Sequence, residues 1–192
     1  MNEGPERLRL FVAVDVPPGV LEQLDATIAP ERSTIPTARW APVANQHITL
    51  KFLGSVDASS LPDISAACES VATARRSGEI RVTGMGAFPS PRRARVIWAG
   101  IEDEERILTD IASGLDEAFA PLGFAPEKRA FTPHLTLARL KSPADARAFL
   151  DRVSFVSSPI PVTDFHLYRS HLSPKGARYE AIDAYVLGGA TR

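Results

Sequence analysis

HITLKFL at residues 47–53 and HLTLARL at residues 134–140 are near copies of one another, and each carries the pattern His-x-Thr-Leu: His47-Ile48-Thr49-Leu50 and His134-Leu135-Thr136-Leu137. Both segments read as strands, because apolar and β-branched residues alternate with polar ones. In a strand, side chains alternate between faces. Each histidine therefore shares a face with its threonine, while Ile48, Leu50, Leu135 and Leu137 point to the core.

The surroundings of the two copies also repeat. RLFVAV (9–14) and RVIWAG (95–100) read as strands, and His47 follows Phe11 by 36 residues as His134 follows Trp98. VTGMGAF…SPRRAR (82–95) resembles VTDFHLY…SPKGAR (162–178), with a spacing that differs by three residues. Between these strands lie helical stripes: Val20, Leu21, Leu24 and Ile28 after Pro17-Pro18; Leu61, Ile64, Cys68 and Val71; and Ile107, Leu108, Ile111, Leu115 and Phe119 behind the acidic run 102–105. A fourth helix, opened by Ser142-Pro143, carries Phe149, Leu150 and Val153. The repeat predicts an α+β fold. One bilobal domain over residues 1–192 is expected, a pseudo-twofold duplication with two antiparallel sheets flanking a central cleft and helices outside.

Composition narrows the class. The chain of 192 residues is 44% hydrophobic and 23% charged with a formal net charge of −1, as in an ordinary globular domain. No apolar run approaches the ~20 residues of a membrane helix. The charged start MNEGPERLRLF lacks the apolar core of a signal peptide, so a cytoplasmic, membrane-free protein is expected. The single cysteine, Cys68, excludes an internal disulfide and a CxxC site. The net charge argues against a protein that wraps nucleic acid, but Arg92, Arg93 and Arg95, and Lys128, Arg129, Arg139 and Lys141, leave room for a small cationic cleft gripping a few phosphates.

Two His–Thr pairs facing across a cleft suit one kind of chemistry. Imidazole titrates near neutral pH, so one histidine can act as base and the other as acid. The two hydroxyls can donate hydrogen bonds to the oxygens of a phosphoryl group as charge builds on them. The sequence carries no HExxH and no carboxylates beside either histidine, so neither a metal nor another cofactor is expected. A strained five-membered cyclic phosphate is the natural substrate for such a site.

The chain resembles the two-histidine (2H) phosphoesterases, and within them the LigT-like RNA 2′,3′-cyclic phosphodiesterases. The resemblance runs through RLFVAVDVP (9–17), RW…NQHITLKFLG (39–54), FPSPRRARVIWAG (88–100), FTPHLTLARL (131–140) and LYRSHLSPKGARYE (167–180). It implies the bilobal α+β fold and hydrolysis of an RNA 2′,3′-cyclic phosphate to a 2′-phosphate. It also implies His47 as proton donor and His134 as proton acceptor, with Thr49 and Thr136 beside them. Alternatives are 2′–5′ RNA ligation, action on a small cyclic nucleotide, or a non-catalytic module that binds RNA ends. Whether cations and aromatics extend beyond one nucleotide separates the larger substrate from the smaller.

Further substrate-binding candidates are Lys51, on the His47 face if the strand stays regular; Arg129, just before His134; Phe11, for stacking on a terminal base; and Arg169. Trp40, Phe131 and Tyr168 are aromatic candidates of the same kind as Phe11. Arg139 falls on the opposite face from His134 unless the strand bulges, and His166 and His171 read as non-catalytic. The expected partner is RNA ending in a 2′,3′-cyclic phosphate, or a cyclic nucleotide, bound by a monomer.

Overall fold

A computed structural model of the chain describes residues 6–174 and 176–188. The charged start at 1–5 and Lys175 of the LSPKG turn lie outside the described residues. In order the elements are β1 (Arg7–Val14), α1 (Pro18–Ile28), β2 (Ala38–Trp40), β3 (Ile48–Asp57), α2 (Leu61–Ala74), β4 (Gly78–Phe88), β5 (Ala94–Glu102), α3 (Ile107–Phe119), β6 (His134–Ala144), α4 (Arg147–Arg152), β7 (Ile160–Val162), β8 (Asp164–Ser173) and β9 (Gly176–Val186). The fold is α+β, with antiparallel pairing throughout.

Where the repeat predicted two sheets, the strands join into one, in the order β7-β4-β5-β6-β3-β1-β8-β9, with β2 alongside β6. The seam between its halves is a single residue pair, Ile48 with Leu135. The equal 36-residue offsets do not mark equivalent positions, because Thr49 pairs with Ala13 of β1 whereas Thr136 pairs with Trp98 of β5. The short strand β2 carries only three residues, too few for an alternation to be read in the sequence.

The helices follow their apolar stripes. Leu21, Leu24 and Ile28 of α1, Ile64, Cys68 and Val71 of α2, and Leu108, Ile111, Leu115 and Phe119 of α3 are all buried. Helix α2 packs on α3 and on the back of β8 and β9, and α3 packs on β3. Burial pushes the Cys68 thiol up to about 12, which leaves it an inert core residue. The acidic run ends before α3 begins, but Asp103 accepts hydrogen bonds from the backbone N–H groups of Leu108 (3.2 Å) and Thr109 (2.9 Å), occupying donors the first turn leaves open. Ser142 and Pro143 do not open α4; they belong to β6, and Asp145 accepts from the backbone N–H of Arg147 instead.

Both His-x-Thr-Leu strands bulge at the same place. Lys51 pairs with Val12 and Thr49 with Ala13, so Leu50 is the extra residue in β3. Ala138 pairs with Ile97 and Thr136 with Trp98, so Leu137 is the extra residue in β6. A bulge resets the alternation of faces beyond it. Lys51 therefore does not share the face of His47 and Thr49. It is buried at 3% exposure on the helix side, where its ammonium donates to the Ala125 carbonyl at 2.9 Å and sits 2.5 Å from the Asp116 carboxylate of α3. Phe52, one residue on, takes the open face and is 57% exposed.

Removing the partner of a buried ammonium strands its charge, which costs far more than losing an exposed ion pair. Asp116→Ala should lower the unfolding free energy in urea by about 3 kcal/mol. Lys51→Met, which removes the charge together with its need for a partner, should cost less. A loss below ~1 kcal/mol for Asp116→Ala, the level of a surface pair, would show that this contact does not anchor β3 to α3.

Candidate active site

The seam builds the site. Ile48 and Leu135 lie opposite one another in an antiparallel pair. Continuing that register one residue each way sets His47 beside Thr136 and Thr49 beside His134. Ile48, Leu50, Leu135 and Leu137 are buried, so the four polar side chains share the other face. They stand at the corners of a rectangle, histidines on one diagonal and threonines on the other. Diagonal neighbours across a strand pair are separated by about 7–8 Å, which leaves room for a phosphoryl group between the two imidazoles.

Beyond this point β3 and β6 part. After its bulge β6 pairs with β2, with Arg39 opposite Arg139 and Trp40 opposite Ala138, and the Ala41 N–H donates to the Leu137 carbonyl at 2.8 Å. The opening is a cleft of about 910 Å³ with His47, Thr49 and Thr136 in its wall. His134 stands on the same face but is not part of that wall; it lies on the far side of the rectangle, against Phe88 and Trp98.

The His134 imidazole is oriented by a backbone carbonyl two residues earlier, its Nδ1 lying 2.8 Å from the Thr132 oxygen, while the Asn45 backbone favours the protonated form of His47. Donation to a carbonyl fixes the proton on one nitrogen and leaves the other free for the cleft. The rings otherwise differ in setting. His47 stacks on Phe11 at 4.8 Å between centroids and meets the edge of Tyr179 at 5.1 Å. His134 meets Phe88 edge-on at 5.2 Å and Trp98 at 6.3 Å. Trp98 can lie flat there because Gly86 faces it: a Cβ at Gly86 would come within 2.1 Å of the indole.

Burial is the main influence on His47 and pulls its pKa from 6.5 down to about 4. Asp15 and the Asn45 backbone act in the opposite direction, and Arg139 adds to the lowering. Asp15 accepts the Tyr168 hydroxyl at 2.7 and 2.8 Å, and burial together with this acceptor raises the Tyr168 pKa, keeping the phenol protonated. Tyr168 stacks on Phe11 at 5.3 Å, so His47, Phe11 and Tyr168 form one layered stack.

The remaining candidates differ in placement. Phe11 lines the cleft but is only 3% exposed, with its faces covered by His47 and Tyr168, so it supports the histidine and offers no face to a base. Arg169 pairs with Glu6 at 3.0 Å outside the cleft wall. Arg129 is exposed in the loop before β6 and is likewise not part of that wall. Phe131 is half-buried and outside the wall as well, whereas Trp40 is within it. His171 bonds Glu180 at 2.6 Å, and His166 lies 3.7 Å from both Asp15 and Asp164. The bulge at Leu137 brings Arg139 into the cleft wall, where regular alternation would have turned it away. Arg9, Arg39 and Phe52 also line the cleft, and no motif singled them out. Among the described residues no three His, Cys, Asp or Glu side chains cluster as a metal site requires, and no helix is long and apolar enough to cross a membrane.

A family model described as the 2′-5′ RNA ligase superfamily matches residues 13–174. The RNA 2′,3′-cyclic phosphodiesterase of Archaeoglobus fulgidus is 35% identical over 180 residues, covering 93% of this chain and 99% of its own. That of Methanothermobacter thermautotrophicus is 30% identical over 185 residues, covering 94% and 100%. Among solved structures, a Thermus thermophilus protein aligns with a TM-score of 0.78 at 31% identity over 96% of this chain and 100% of its own. E. coli LigT complexed with 3′-AMP aligns with a TM-score of 0.76 at 28% identity over 95% and 99%.

The lowered pKa of His47 ties folding to pH. The folded chain holds this ring neutral down to about pH 4, whereas the unfolded chain protonates it near 6.5. Its contribution to stability is therefore complete above pH 6.5 and is lost progressively as pH falls toward 4, by up to ~3 kcal/mol. Urea unfolding of the wild type and of His47→Gln should diverge in this window, with the variant losing less stability on acidification. Parallel curves for the two proteins from pH 7.5 to 4.5 would contradict a buried, neutral His47.

Proposed function

The chain belongs to the 2′-5′ RNA ligase superfamily, and on that footing we propose that it is an RNA 2′,3′-cyclic phosphodiesterase that opens a terminal cyclic phosphate to a 2′-phosphate. The observation that carries this reading is the rectangle of His47, Thr49, His134 and Thr136 set by the Ile48–Leu135 pair. Relatives that align over almost the whole chain, and bear that activity in their names, support it.

The chemistry follows from the donors and acceptors in place. His134, with Nδ1–H held by the Thr132 carbonyl, presents Nε2 as a base to a water molecule. The water oxygen attacks phosphorus as its proton passes to His134. The bond from phosphorus to the ribose 3′ oxygen breaks, and His47 delivers a proton to that leaving oxygen. A 2′-phosphate and a free 3′ hydroxyl result. The Thr49 and Thr136 hydroxyls donate to the non-bridging oxygens, which carry more charge in the transition state than in the ground state. His47 is neutral in the free chain at pH 7; the anionic phosphate seated against it, with Asp15 behind, raises its proton affinity so that it can serve as the acid. Acid, base and charge stabilisation thus all come from protein side chains, and no metal is required.

We also infer that the two halves descend from a duplicated unit. The mirrored strand order about the seam supports this: β3, β1 and β8 run outward on one side, and β6, β5 and β4 on the other, matching the sequence repeats. One connected core from Leu8 to Leu187 supports reading the chain as a single domain, and we propose that it acts as a monomer.

With an oligonucleotide ending in a 2′,3′-cyclic phosphate, the product should carry a 2′-phosphate, and turnover should persist in excess EDTA. His47→Ala and His134→Ala should each lower kcat by ~10²–10⁴-fold, and Thr49→Ala or Thr136→Ala by no more than ~10²–10³-fold. The double histidine variant should be about as slow as the worse single one, since both rings serve one transition state. Near-wild-type turnover by either single histidine variant, or loss of activity in EDTA with recovery on adding zinc, would sink the mechanism.

A further inference from the structure

Phe11, His47 and Tyr179 close a triangle of rings. Phe11 lies within 26° of parallel to His47 at 4.8 Å between centroids. Tyr179 of β9 stands across both, 5.1 Å from His47 at 84° and 5.0 Å from Phe11 at 76°. Three near-equal distances put Tyr179 beside the stack, since a ring on top of it would be much farther from one member than from the other. Offset stacking and edge-on contact are the two arrangements aromatic rings favour. Here they act on one imidazole from two directions, so that turning about its Cβ–Cγ bond drives it into Phe11 or Tyr179.

Tyr179 can do this only while β9 stays in place. That strand ends the sheet, and its strand partner among the described residues is β8. Near the turn that joins the two, the Asn45 side-chain amide donates to the Ala177 carbonyl at 2.8 Å. Asn45 is half-buried and lies two residues before His47, as Ala177 lies two before Tyr179. One hydrogen bond therefore ties the loop leading into the histidine to the strand that carries the ring beside it. All four residues line the cleft. The Tyr179 hydroxyl makes no hydrogen bond among the described residues, so only its ring joins it to the stack.

We propose that Asn45 and Tyr179 are positioning residues for His47, Asn45 clasping β9 to the loop before the histidine and Tyr179 holding the imidazole against Phe11. Neither side chain takes part in the proton transfers. The kinetic consequence rests on the phosphodiesterase reading above; the geometry of the ring does not.

The test uses adenosine 2′,3′-cyclic phosphate as substrate. Tyr179→Ala should lower kcat by ~10–10²-fold, the cost of a misplaced catalytic group. Its KM should change by no more than about twofold, because the ring serves the transition state and not the bound substrate. Tyr179→Phe, which keeps the edge and loses the hydroxyl, should stay within about twofold of the wild type in kcat. Asn45→Ala should lower kcat in the same way, and Asn45→Ala/Tyr179→Ala should be no slower than Tyr179→Ala alone, since both act along one path. In NMR spectra of the folded free chain, the His47 ring protons, shielded in the wild type by the face of Phe11, should move toward ordinary positions in Asn45→Ala and Tyr179→Ala and stay in place in Tyr179→Phe. A merely structural role would lower the melting temperature without moving those signals. Slow turnover by Tyr179→Phe would make the hydroxyl a substrate contact and overturn the proposal. So would a rise in KM at unchanged kcat, losses that multiply in the double variant, or His47 signals that do not move. Failure of the wild type to open the cyclic phosphate sinks the phosphodiesterase reading alone, and the His47 signals still decide whether Asn45 and Tyr179 hold the ring.

Discussion

Ile48 and Leu135 hold the two halves of the sheet together through a single antiparallel residue pair, and the geometry of the site depends on it. Both side chains are fully buried. Their neighbours on either side must therefore face the other way, and the antiparallel sense sets each histidine beside the other strand's threonine. A slip of one residue at this seam would send His47 and Thr49 into the core and lift Ile48 into solvent. Burial of two apolar side chains thus specifies the register of four polar ones.

The bulges at Leu50 and Leu137 then decide what the cleft contains. An extra residue in a strand increases local twist and disrupts the ladder, and here it falls directly after each threonine. Beyond it the two strands separate, β2 takes the vacated edge of β6, and the opening becomes a cleft. The same shift turns Lys51 into the helix layer, where Asp116 receives it, and brings Phe52 and Arg139 to the open face. The ammonium that looked like a phosphate ligand is a structural ion pair. The cations facing the cleft are arginines, whose planar forks suit phosphate oxygens.

The two histidines are alike in motif and unlike in setting. His134 is oriented by the Thr132 carbonyl two residues upstream. His47, however, is packed into an aromatic stack that removes it from water, whereas His134 meets the edge of Phe88 beside Trp98. Two copies of one motif thus sit in different environments, and burial acts on His47 to lower its pKa. Asp15 and Tyr168, reaching in from the end of β1 and from β8, belong to this second layer.

The α+β class, the strands around both His-x-Thr-Leu segments, the stripes of α1, α2 and α3, and the pairing of each histidine with its threonine were legible in the residues alone. Each rests on local periodicity: two residues per repeat in a strand, 3.6 in a helix. Tertiary structure decided the rest. A bulge has no fixed sequence signature, because it arises where two strands of differing twist must stay paired, so the faces of Lys51, Phe52 and Arg139 could not be read from alternation. Phe11 became a support and not a platform because Tyr168, far away in sequence, closes over it. Arg39 reaches the cleft wall only because β2, three residues long, is laid against β6. Local pattern sets which way a side chain points relative to its neighbours in the chain. What stands in front of it depends on segments far away in sequence, and only packing brings those together.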